Sequence, residues 1–225
     1  ETHDVLFLQG GATTQFAAIP MNLIGKAGAS YAITGNFSGI AAKEAEKYGR
    51  VSVAWDGTEE NFRRIPRQEE LGIEPGSAYF HYCANNTIYG TAWDYVPETG
   101  GAPLVCDMSS EIMSRPVDVA PYALIYAGAQ KNIAPAGLTV VIVDRFYAGH
   151  ERPDTPQIMS YQKQINKDSM LNTPPCWCIY MLGLVLEWVE AEGGVAAMDA
   201  CRRERSRLVY EVLDNSRLYK AHAEP

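Results

Sequence analysis

The chain has 225 residues, enough to bury one substantial core, so a single domain is the default expectation. Its 47% hydrophobic and 20% charged residues match an ordinary globular protein, and no apolar run reaches the roughly 18 residues that span a membrane. The net charge of −8 offers no basic surface to a phosphate backbone, which argues against nucleic acid as a partner.

Strand and helix signals alternate along the chain, the pattern of an α/β layered domain with a largely parallel sheet. Asp4 to Leu8 reads as a short strand. Gly10-Gly11 makes a turn, and Thr13 to Ile24 follows as a helix that Pro20 should kink. Ser30 to Ile33 is a strand, Gly39 to Tyr48 a helix with a Lys-Glu surface, and Val51 to Trp55 a strand. A polar stretch from Asp56 to Gly76 has room for a short helix near Gln68 to Leu71. Ala78 to Cys83, Leu104 to Cys106, Leu124 to Tyr126 and Leu138 to Val143 complete a sheet of about seven strands. Asp144 to Met170 is polar and irregular. The chain turns helical from Pro175, where proline is tolerated at a helix start. Gly193-Gly194 breaks that helix, and a second runs from Val195 to Leu213. The longest apolar stretch, Trp177 to Val189, is interrupted by Gly183 and Glu187.

Five cysteines at irregular spacing read as free buried thiols in a reducing cytosol, which places the protein in the cytoplasm. Cys176-Trp177-Cys178 is too tightly spaced for zinc, so no metal site is expected. The first residues, Glu1 to Asp4, show no secretory signal. A glutamate start and an end soon after a charge-rich helix lead us to expect a piece of a longer protein.

The chemistry concentrates at strand ends. Lys131 lies in Ala127-Gly128-Ala129-Gln130-Lys131-Asn132, after the Leu124-Ile125-Tyr126 strand. A lysine at the end of a buried strand, among small residues, can lose enough hydration to become a nucleophile. Asp107 ends another strand 24 residues upstream. A lysine that joins the cofactor and an acid that holds a pyridinium nitrogen are the minimal equipment for pyridoxal phosphate chemistry. Spacing alone equally fits a solvated loop lysine. Gly10-Gly11-Ala12-Thr13 opens a helix whose N–H groups could hold a phosphate, or is a plain glycine turn. Thr87 could donate to a ring hydroxyl, and Ser109-Ser110 could reach the phosphate or cap a helix. Gly10-Gly11 lacks the third glycine of a dinucleotide-binding turn.

Taken together, the segments Gln9 to Phe16, Asn86 to Thr91, Asp107 to Ser110, Ser114-Arg115-Pro116, the AGAQKN segment with PAGLT, and Asp168 to Pro175 resemble the phosphoserine aminotransferases, over nearly the whole chain. The resemblance implies the large domain of a fold type I pyridoxal phosphate enzyme, spanning residues 1–225, with the family's N-terminal segment and C-terminal small domain absent. It implies Lys131 as the cofactor-bound lysine and proton shuttle, Asp107 as partner of the pyridine nitrogen, and Thr87 as a contact to the ring hydroxyl. Ala12, Thr13, Ser109 and Gln130 would bind the phosphate. Phe37 would stack on the ring where certain relatives carry tryptophan, and Thr13 stands where some carry arginine. Asn172 and Thr173 would reach the cofactor of a neighbouring subunit, giving a homodimer with shared sites. The implied reaction exchanges an amino group between glutamate and 3-phosphohydroxypyruvate, giving 2-oxoglutarate and O-phosphoserine in serine biosynthesis. The substrate clamps resemble segments outside this chain. Another fold type I enzyme, or a cofactor-free domain that serves in assembly, remains the alternative.

Overall fold

The computed structural model describes residues 2–224; Glu1 and Pro225 lie outside the described residues. Seven strands form the main sheet in the order β1-β9-β8-β7-β4-β2-β3. They are β1 (His3–Gly10), β2 (Ala29–Ile33), β3 (Val51–Asp56), β4 (Phe80–Cys83), β7 (Leu104–Asp107), β8 (Tyr122–Gly128) and β9 (Gly137–Asp144). A two-stranded ribbon, β5 (Asn85–Asn86) with β6 (Thr91–Ala92), follows β4 and was not expected from the sequence, because two-residue strands carry no periodicity. Four of the main pairings are parallel, and only β9 runs against its neighbours β1 and β8. The expected seven-stranded, mostly parallel sheet is therefore the one observed.

The central strands β4, β7 and β8 are buried at every position, which is why Phe80-His81-Tyr82-Cys83 and Leu104-Val105-Cys106-Asp107 read as continuous rather than alternating runs. One face packs Val105, Leu124, Tyr126 and Tyr31 against Phe16 and Ile19 of α1 (Ala12–Leu23) and the alanines of α2 (Asn36–Ala45). The other face packs Phe80, Tyr82, Leu104, Cys106 and Ile125 around Trp93. Burying one such side chain stabilises the fold by about 1.5–3 kcal/mol. Tyr122 joins the second face although Leu124 and Tyr126 belong to the first. A register shift between Leu104 and Val105 inserts Ala123 and reverses the alternation there.

Helix α1 continues through Pro20 within one residue of the expected bounds, with Ile24 N–H donating to the Pro20 carbonyl at 3.1 Å. One helix start differs from the expected one. Helix α2 starts three residues before Gly39, because the Ser38 hydroxyl turns back and accepts from Thr34 N–H (3.0 Å) and Gly35 N–H (3.1 Å). The Gln68 region is one turn of 3-10 helix, and the irregular stretch holds a five-residue helix, α3 (Tyr161–Ile165).

The C-terminal pair, α4 (Cys176–Ala191) and α5 (Gly194–Asp214), follows the expected break. Only Cys178, Leu182 and Val189 of α4 are buried, and Trp177, Tyr180 and Trp188 face outward. All five cysteines are free, but Cys176 and Cys201 are exposed rather than buried, since both sit on outer helix faces. Among the described residues no helix is long and apolar enough to cross a membrane, and no group of His, Cys, Asp and Glu is placed to hold a metal ion.

Candidate active site

Strands β1, β4, β7 and β8 share one direction, so their carboxyl ends lie along one edge of the sheet. Ligands of open α/β sheets bind at that edge, because the loops leaving it are free to diverge. A shallow open cleft lies there, lined by Phe37, Cys83, Thr87, Asp107, Ser110 and Lys131 among others.

Lys131 lies three residues past the end of β8, in a turn that Ile133 N–H closes on the Ala129 carbonyl at 3.1 Å. Its ammonium donates to the Thr87 hydroxyl at 2.7 Å and sits 5.0 Å from the centre of the Phe37 ring. The expectation that Lys131 loses hydration among small residues is not met. The residue is exposed, because the turn lifts it to the cleft rim while the small residues Gly128 and Ala129 stay below.

Asp107 is the buried counterpart, 7% exposed at the end of β7. Burial pushes its carboxyl above the usual range. Hydrogen bonds from Ser109, the Lys131 charge and the Tyr126 hydroxyl pull it back. The Ser109 N–H donates to Oδ1 at 2.8 Å, and the Cys83 thiol lies 4.0 Å from Oδ2.

Phe37 and Thr87 reach the cleft through one buried asparagine. Asn86 accepts from the Thr34 hydroxyl (3.2 Å) and donates to the Thr91 hydroxyl (2.9 Å), fixing the β5–β6 ribbon against the turn that launches α2. A Cβ on Gly35 would come within 2.8 Å of the Asn86 side-chain oxygen, so glycine permits this approach.

The other expected ligands gather beside the N-terminus of α1. The Gly11 N-cap carries no side-chain cap, and the first turn holds no acidic residue, so the Ala12 and Thr13 N–H groups retain their donors and the positive end of the helix dipole. Gly128 N–H donates to the Ser109 hydroxyl at 2.9 Å. A Cβ on Gly128 would meet the Gln130 amide at 2.9 Å and the Ala12 nitrogen at 3.3 Å. Ala12, Ser109 and Gln130 therefore converge on Gly128 beside a helix N-terminus of the kind that holds anions. Gly128→Ala should weaken phosphate binding there by about tenfold while the fold persists, because the added methyl occupies the cradle. Titration with inorganic phosphate or pyridoxal phosphate would read this, and unchanged affinity would contradict the cradle.

Ser110 belongs to the cleft rather than to the cradle, donating to the Asn85 carbonyl at 3.2 Å. No helix follows Ser109-Ser110, so the capping alternative fails. Asn172 and Thr173 lie outside the cleft in this chain. The Thr173 carbonyl accepts from Gln9 Nε2 at 2.5 Å, and Asn172 lines a separate cavity with Gln9, Thr14 and Tyr161. Sequence reasoning did not single out Cys83, Tyr126 or Ser38, whose importance depends on neighbours brought together by sheet pairing. Strand register was the only signal that could have found Tyr126, which lies opposite Asp107.

The class-V aminotransferase family model matches residues 1–225. The chain is 48% identical over 217 residues to a phosphoserine aminotransferase of Laribacter hongkongensis, covering 96% of this chain and 60% of the relative. It is 46% identical over 224 residues to that of Pseudomonas aeruginosa, covering 99% and 62%. Among solved structures it is similar to the phosphoserine aminotransferase of Bacillus circulans subsp. alkalophilus, with a TM-score of 0.91, 40% identity, and 95% and 60% of the two chains covered. It is also similar to the pyridoxal-phosphate-bound phosphoserine aminotransferase of Trichomonas vaginalis, with a TM-score of 0.94, 35% identity, and 100% and 64% covered. The chain spans less than two thirds of the length of these relatives. With its strand-end lysine and acid at the carboxyl edge of a seven-stranded sheet, the chain belongs to the class-V aminotransferase family.

Proposed function

We propose that residues 1–225 form the cofactor-binding large domain of a pyridoxal-phosphate-dependent phosphoserine aminotransferase. The whole enzyme would interconvert glutamate and 3-phosphohydroxypyruvate with 2-oxoglutarate and O-phosphoserine in serine biosynthesis. The observation that carries this reading is the meeting of Lys131, Thr87 and Phe37 over the buried Asp107, beside an uncapped helix N-terminus.

These residues fit pyridoxal phosphate. An amine on the rim suits its aldehyde, a buried carboxylate its ring nitrogen, an aromatic face its ring, and the Gly128 space its phosphate. When bound, the group supplies a carbonyl carbon that joins amines and a ring that takes up the electrons left on Cα. Lys131 Nζ would hold the group and, once freed by the amino donor, would remove and return the proton at the donor's Cα. Thr87, already bonded to Lys131, orients the ring hydroxyl. Asp107 holds a proton at the ring nitrogen, which it does only as a carboxylate. Phe37 covers one ring face, and the Ala12 and Thr13 N–H groups, Ser109 and Gln130 bind the phosphate. A fluorescence or absorbance titration with pyridoxal phosphate, followed by assay of the full-length protein with glutamate and 3-phosphohydroxypyruvate, tests the reading. Turnover of a different keto acid in its place would assign another fold type I activity.

The active enzyme is, on this reading, a cytoplasmic homodimer in which Asn172 and Thr173 of one subunit complete the phosphate site of the other. Their position outside this chain's cleft supports that role, as do the outward Trp177, Tyr180 and Trp188. The chain alone should therefore dimerise and bind cofactor while turning over poorly, since substrate positioning supplies up to roughly 7–11 kcal/mol of a barrier. Sedimentation with a parallel assay reads both. A monomer with full activity would contradict the shared site.

A further inference from the structure

Behind the cleft lies a buried polar chain. His81 of β4 is 1% exposed, and its Nε2 lies 2.9 Å from the Tyr126 hydroxyl of β8. Tyr126 lies opposite Asp107 across β7 and β8, and its hydroxyl favours the ionised form of that carboxyl. The second ring nitrogen, Nδ1, is buried and has no partner among the described residues. Sheet register forces this alignment, because His81 and Cys83 share a face with Val105 and Asp107, and Asp107 lies opposite Tyr126.

The orphaned nitrogen sets the direction of the chain. A buried N–H without an acceptor is a costlier defect than a buried lone pair without a donor. The proton therefore sits on Nε2 and Nδ1 is bare. Nε2–H donates to the Tyr126 oxygen, which leaves the hydroxyl proton free to turn to Asp107, the residue opposite. Asp107 already accepts from the Ser109 N–H at 2.8 Å.

We propose that His81 is a positioning residue which, through Tyr126, keeps Asp107 an oriented, ionised acceptor at the floor of the cleft. The proposal rests on the reading of Asp107 as the partner of a ring nitrogen. The groups facing the chain are the Tyr31 ring, stacked on His81 at 4.7 Å, the Cys83 thiol, the Phe16 ring on Tyr126, and Lys131 at the rim. Lys131 carries the one positive charge among them and favours the ionised carboxylate. Burial pushes the imidazole down to about 3, so His81 stays neutral across the working range.

The first test needs no variant. Nitrogen-15 NMR of the full-length protein labelled at histidine should show His81 neutral and Nε2-protonated, without titration from about pH 8 down to about pH 5. An Nδ1–H tautomer or an imidazolium in that range would overturn the proposal. The second test follows the Asp107 carboxyl by carbon-13 NMR in cofactor-free protein. Tyr126→Phe and His81→Phe should each raise its midpoint by about one pH unit, and His81→Gln, which keeps a donor, should restore it. A midpoint unmoved by both phenylalanine variants sinks the relay even if pyridoxal phosphate binds. If the midpoint moves but pyridoxal phosphate does not bind, the relay stands and the cofactor reading falls.

Discussion

Lys131→Ala should abolish amino transfer in the full-length protein, lowering turnover by at least about 10³-fold, while leaving the fold and much of the cofactor affinity intact. The side chain is exposed and makes one hydrogen bond, to Thr87, and one ring contact, with Phe37, so little of the core depends on it. On the proposed reading the loss falls on chemistry, because one amine would serve as both nucleophile and base, and general base catalysis alone contributes roughly 10²–10⁴-fold. Borohydride reduction of the cofactor-loaded protein followed by peptide mapping gives the direct check. The label belongs on the peptide containing Lys131. A label on Lys163 or Lys167 would reassign the site, and both lie well away from the cleft, at α3 and just after it.

Asp107→Ala should separate binding from catalysis. A hydrogen bond to a charged group is worth about 1.5–3 kcal/mol, so cofactor affinity should fall by roughly 10- to 100-fold. Turnover at saturating cofactor should fall further, by about 10³-fold or more. On the proposed reading the carboxylate would keep a proton on the ring nitrogen, and without that proton the ring would take up the electrons left at Cα far less readily. Asp107→Asn should resemble alanine in turnover because it is neutral, while binding cofactor better than alanine does. Near-normal turnover in either variant would remove Asp107 from the proposed role.

The sequence by itself determined the sheet and picked out the strand-end lysine and acid. Buried parallel strands require unbroken apolar runs, and Leu104 to Cys106 and Leu124 to Tyr126 show them without ambiguity. Lys131 and Asp107 were legible because each follows such a run at a strand end. Ala12 and Thr13 were legible because the Gly10-Gly11 turn marks a helix start. Only the tertiary structure decided the rest. Lys131 sits on the rim rather than in a dehydrated pocket, since exposure depends on how a turn leaves the sheet. Helix α2 begins at Asn36 because a Ser38 side-chain bond overrides the periodicity that pointed to Gly39. Asn172 and Thr173 fall outside the cleft, an outcome set by the path of the chain past Gln9. The His81–Tyr126–Asp107 chain joins residues 26 and 45 positions apart by register alone. Contacts across parallel strands depend on pairing over long separations, and a local reading of side-chain pattern carries no information about that pairing.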